Sequence, residues 1–202
     1  PVQVHLLLTT RTDPPLPLAR LRAGGQMTEI RARDLRFTSD EARQFFSHAM
    51  QLDLADEAAK ALQERTEGWA AGLQLAGLAL QGQSAPAAFI ETFRGSHRYV
   101  LDYLAEEVLR QQGEEVRAFL TQISVLERFN ADSCCALTGR ADAQALIAHL
   151  EQANLFMVPL DDERLWYRFH QLFSDYLRSL LTESDQSALN KKAAAWHEHN
   201  DM

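Results

Sequence analysis

The chain has 202 residues, of which 46% are hydrophobic and 24% charged, the proportions of a globular protein able to bury a core. Its net charge of −8 is uneven: residues 1–36 hold six arginines against Asp13, Glu29 and Asp34, or +3, which leaves −11 on the remainder. A body of that sign repels a phosphate backbone, so nucleic-acid binding is disfavoured outside a local basic patch. Cys134 and Cys135 are adjacent, poor geometry for a mutual disulfide, and no signal peptide or apolar run of about 18 residues occurs, so a reducing cytoplasm is expected.

In chain order, residues 2–10 (VQVHLLLTT) form a nearly continuous apolar run of strand length, the pattern of a buried parallel strand. Arg11 follows at its C-terminal end, the edge where open α/β sheets place ligands. Pro14, Pro15 and Pro17 force a loop, residues 16–21 allow a short helix that Gly24 and Gly25 end, and residues 27–30 read as a last strand. The abrupt opening and the AAAWHEHN ending suggest a segment of a longer protein.

From Phe37 the period becomes helical. Thr38-Ser39-Asp40-Glu41 is a capping box for a helix carrying Ala42, Phe45, Phe46 and Ala49. Residues 54–65 predict a second helix, with Asp53 as cap. Residues 69–80 predict a third, apolar almost all round and therefore buried among others. Residues 86–93 and 99–111 predict two more. After Gly113, helices are expected over 114–126, 131–137 (capped by Asn130, stopped by Gly139) and 142–153. Two short β-type runs then flank the acidic turn Asp161-Asp162-Glu163. A helix with Leu172, Phe173, Tyr176, Leu177, Leu180 and Leu181 on one face follows directly, and a further helix covers 185–200.

Three helices followed by a two-stranded wing is the order of a winged-helix domain. The expected class is mainly α: the end of an α/β nucleotide-binding sheet (1–36), a helical domain (37–112), a winged-helix domain (113–183) and the start of a helical sensor arm or linker (184–202). DNA is the obvious partner for a winged helix. Yet the recognition position offers Asp142, Gln144, His149, Glu151 and Gln152 without Lys or Arg, and the wing tip is acidic, so packing against neighbouring domains fits the charge better.

Four residues stand out as candidate binding positions. Arg11 is placed either to reach a phosphate at the sheet edge or to form a surface ion pair. His170, at a strand-to-helix junction, lies at a helix N-terminus that favours an anion, or is packed in the joint against a backbone carbonyl. Gly72 and Gly77 within a buried helix each cost about 1 kcal/mol against alanine, which close approach of a helix or a ligand would explain. His97, His197 and His199 are scattered and read as solvated. No zinc spacing, nucleophile elbow or phosphate-cradling GxxxxGK[ST] occurs, so the segment should not hydrolyse a nucleotide alone.

The succession HLLLTTRTDPPLPLARLR, DLRFTSDEA, RTEGWAAGLQLAGLAL, GSHRYVLDYLAEEVL and LIAHLEQANLFMVPLDDERLWYRFHQLFSDYLR resembles the MalT-like branch of the STAND ATPases, transcriptional activators of the LuxR type. The resemblance implies a P-loop domain before this segment, a helical inducer-binding sensor arm after it, a C-terminal DNA-binding domain, and a switch between an ADP-bound closed monomer and an ATP-bound self-associating form. By the same resemblance Arg11 matches the arginine of the sensor strand. Gly72 to Leu75 matches a GLPL-type motif beside the adenine, with Gln74 where related families place proline. Phe169-His170-Gln171 matches an MHD-type motif whose histidine meets the ADP β-phosphate, with Gln171 at the aspartate position. ATP or ADP, with Mg in the parent chain, is the implied cofactor.

Overall fold

The computed structural model describes residues 5–10, 13–81, 86–153 and 155–200, and among them eleven α-helices and one two-stranded antiparallel hairpin. The chain is thus mainly α with a winged helix, as the periodicities require. Among the described residues no strand is formed before Phe37: residues 5–10 and 27–30 carry no strand pairing, and Leu7 is 85% exposed. Residues 2–4 lie outside the described residues. A strand persists only where a neighbouring strand takes its N–H and C=O groups. The short helix is present as α1 (Leu18–Ala23), closed by Gly24, and ion pairs of Arg31 with Asp13 and Glu29 hold the loops around it.

Thr38 caps α2 (Ser39–Gln44) in the expected box with Glu41. Past Gln44 the helix widens into a π-type turn, Phe45–Ala49, instead of staying regular. The next helix, α3 (Asp56–Arg65), starts later than expected, with Ala55 and not Asp53 at its cap. Then come α4 (Ala70–Leu80), α5 (Pro86–Thr92) and α6 (Arg98–Glu107). The winged-helix part comprises α7 (Glu114–Ile123), α8 (Ala131–Thr138), α9 (Ala143–Gln152), β1 (Met157–Pro159), β2 (Tyr167–Phe169) and α10 (Gln171–Ser179), and α11 (Glu183–His199) packs on α8. Asn130 caps α8 by accepting from the Ser133 N–H, and Gly139 ends it in the left-handed region at φ 72°. Both were read from the residue types.

One hydrophobic cluster runs without interruption from Ala42 on α2 through Leu104 and Phe119 to Phe173 and Leu189. The helical part and the winged helix therefore share a core along α6 and α10. Gly95 shows how close they come: a Cβ there would collide with the backbone carbonyl of Leu172, while its N–H faces Asp175 Oδ2 at 3.4 Å. Any larger residue at 95 would push α10 away.

Candidate functional site

The junction of β2 with α10 is the place where the sequence put His170, and the fold seats it against the turn Thr66-Glu67-Gly68 between α3 and α4. The imidazole is 5% exposed. Its Nδ1 accepts the Leu172 N–H at 3.3 Å, capping α10, so Nε2 carries the proton of the neutral ring and donates to the Thr66 carbonyl at 2.8 Å. Burial lowers the pKa below the ordinary histidine value, with Arg36 and Arg168 adding to the effect and Glu67 and Thr66 opposing it. His170 is thus a neutral donor near pH 7, and both ring nitrogens are engaged.

Glu67 was not singled out in the sequence, yet it is the centre of the joint. Its carboxylate receives Arg168 through two bonds of 2.8 Å, the Gln171 N–H at 2.8 Å and Arg36 Nη1 at 3.2 Å. Burial raises its pKa, but the Arg168 hydrogen bonds, the charge of a protonated His170, the Gln171 N–H and the charge of Arg168 outweigh that and hold it at about 2. The anion at the N-terminus of α10, expected on dipole grounds, is in this conformation the Glu67 side chain. Arg36 and Arg168 share this one carboxylate, and the cleft beside it is also lined by Glu127, Asp175 and Arg178.

Positive-φ strain occurs here, as it does at Gln51 and at Arg164 on the wing tip. Glu67 and Phe156, on the two sides of the joint, are both non-glycine residues with positive φ, 48° and 54°, each about 1–2 kcal/mol above an ordinary conformation. The Phe156 carbonyl accepts the His170 N–H at 2.8 Å. Trp69 fills the space between, edge-on to Phe156 at 5.0 Å and to His170 at 5.9 Å.

The remaining candidates divide. Gly72 lies on the buried face of α4, where a Cβ would come within 2.8 Å of Trp69, so it and His170 meet the same indole. Its absent side chain makes room for Trp69 and Thr66, and Gly77 does the same for Met50. Gln74 is exposed on the opposite side of that helix and is not brought to the joint. Arg11 lies outside the described residues. His97 departs from expectation: its ring packs against Phe89 and Phe93, Nδ1 is buried without a hydrogen-bond partner, and burial lowers its pKa. Burial pushes the Cys134 thiol up to about 12, so it is inert, while Cys135 is exposed.

The wing tip keeps its acidic character. Asp161 accepts the N–H groups of Leu165 and Trp166, and Arg164 turns back onto Glu151 of α9. The surface that a winged helix offers to a DNA groove therefore bears Asp162, Glu163 and carboxylates already paired. Among the described residues no group of three or more His, Cys, Asp or Glu could hold a metal ion, and no helix is long and apolar enough to cross a membrane.

Residues 105–189 match the family described as MalT winged helix domain. Over 98% of its length the chain is 35% identical to the HTH-type transcriptional regulator MalT of Vibrio cholerae serotype O1, of which the match covers 23%. Over 88% it is 37% identical to the regulator of the same name from Serratia proteamaculans, covering 20% of that protein. It is also 34% identical, over 98% of its length, to the serine/threonine-protein kinase PknK of Mycobacterium tuberculosis, covering 18% of it. The chain spans about a fifth of the length of the curated relatives it matches.

Proposed function

From the premise that residues 105–189 belong to the MalT winged helix domain family, we propose that the chain is the regulatory core of an ATP/ADP-switched transcriptional regulator, coupling nucleotide state to domain opening and self-association. The observation that carries this reading is the His170 joint: a buried neutral N–H donor, beside Arg36 and Arg168, where the winged helix meets the helical part. Nε2–H already has the polarity that a phosphate oxygen needs, and it requires no protonation to donate. In this reading a diphosphate and the Thr66 carbonyl compete for that hydrogen, Arg11 reaches the terminal phosphate, and the helix of Gly72 and Gln74 lies on the base side.

The fit is to the phosphate end. Gly72 is occupied by Trp69 and Gln74 faces outward, so the base contact would fall on the exposed face of α4. A P-loop domain would supply the remaining nucleotide contacts and Mg, a sensor arm would bind inducer, and a separate domain would bind DNA. The switch is a population shift: ADP bridging residues 1–36 to the winged helix favours the closed arrangement, and its exchange favours an open, self-associating one. That relatives named for transcription regulation and for protein phosphorylation share this segment supports a coupling role.

Replacing His170 with Ala in the full-length protein should give transcription without inducer. An inducer requirement as strict as before would remove the histidine from the switch. A second reading is favoured by the fact that both ring nitrogens are satisfied within the chain: a structural adaptor that binds protein partners and no nucleotide. In that case ADP would leave the melting temperature of the full-length protein unchanged, where the first reading requires a rise that grows with ADP concentration.

A further inference from the structure

Glu67 Oε2 is shared by two guanidinium groups, Arg168 Nη2 at 2.8 Å and Arg36 Nη1 at 3.2 Å, while Oε1 serves Arg168 Nη1 and the Gln171 N–H, both at 2.8 Å. Arg168 is thus held on both oxygens, and Arg36 is an additional, longer claim on one of them. These donors come from three separate places. Arg36 ends the region that precedes the helical part, Arg168 is in the middle of β2, and Gln171 is the first residue of α10.

The backbone around Arg36 is also tied to the same turn. The Phe37 N–H donates to the Gly68 carbonyl at 2.8 Å, and Gln63 Nε2 donates to the Phe37 carbonyl at 3.0 Å. Gly68, at φ 68°, leaves no room for a Cβ against the Phe37 backbone. Phe37 is therefore anchored at the turn, and Arg36 is the first residue before that anchor. The turn itself is wedged between Phe37 on one side and the β2–α10 junction on the other.

We propose that Glu67 is a relay through which the position of residues 13–36 is read by the winged helix, because Arg36 and Arg168 compete for one carboxylate oxygen. Two like charges on a shared acceptor weaken each other's hold, so withdrawing Arg36 tightens Arg168 and the Gln171 N–H on Glu67, and pressing it in loosens them. The coupling is reciprocal: an event that pulls Arg168 away strengthens the hold on Arg36. The relay deepens the regulatory reading given above and rests on it only for the direction in which the signal travels in the cell.

The test is amide hydrogen exchange at Gln171 in the full chain without nucleotide, expressed relative to the amide of Leu137 in α8, which reports global opening. Absence of ADP keeps its outcome separate from that of His170→Ala. Glu67→Ala removes the acceptor and should speed Gln171 exchange about tenfold; Arg36→Gln should slow it about threefold, the lower range for coupling between residues in one network. In the double variant Arg36→Gln should have no further effect. Equal or faster exchange in Arg36→Gln, or a change of the same size in the Glu67→Ala background, overturns the relay.

Discussion

The two ends of the hairpin are built in opposite ways. At its tip, Asp161 satisfies the N–H groups of Leu165 and Trp166, and Arg164 reaches Glu151 only 13 positions away, so the winged helix carries the tip unchanged wherever it moves. At its base, Arg168 and His170 find their partners 101 and 104 positions away in the Glu67 turn. Separation of the winged helix from the helical part would leave the tip intact and strip the base of every bond just named. A state of the protein can be read at the base and not at the tip.

Substitutions at the two ends should differ accordingly. The largest effect is expected from Gly95→Leu, whose side chain has to displace the Leu172 carbonyl at the start of α10; a loss of about 4 kcal/mol or more in urea unfolding is predicted. The acid limb of stability comes next. Glu67 titrates at about 2 in the fold against an ordinary 4.5, so its stabilisation is complete above about pH 4.5 and is lost as pH falls from there toward 2. That is about 3 kcal/mol, and Glu67→Gln should flatten the curve in this window. His170, also lowered, has the same sign: its share begins to be lost once pH falls below 6.5.

At the tip the expected effects are smaller. Asp161→Ala removes a local cap and should cost about 1 kcal/mol, with no change in amide exchange at Gln171. Arg164→Ala breaks an exposed pair and should stay within about 0.5 kcal/mol. An Arg164 effect as large as that of Glu67 would erase the distinction between the two ends.

What the sequence made legible follows the same division between near and distant partners. The Thr38–Glu41 box, the Asn130 cap and the Gly139 stop were readable because their partners lie within four residues. The wing was readable because the period changes from 3.6 to 2 around an acidic turn. Glu67 was not: it is one carboxylate among 28 acidic residues, and nothing local announces that a turn at 67 will meet a strand at 168. The sole hint was the pair Glu67-Gly68 interrupting two helices, which signals a turn but not its partner. Of the two readings open for His170, the ring packed in the joint against a backbone carbonyl is the one seen, through Thr66, and the anion at the helix start is Glu67 from within the chain. The strand patterns gave no strand at 5–10 and 27–30 for a related reason, since periodicity describes what a strand would bury and says nothing about whether a neighbour is there to pair with it.

Hydrogen exchange of the full-length protein with and without ADP addresses the nucleotide switch at this joint most directly. The account predicts that ADP changes protection of residues 66–68 and 168–173 together, while the tip at 161–166 keeps its rates. A melting temperature raised by ADP with both stretches unchanged would place the nucleotide elsewhere and contradict it.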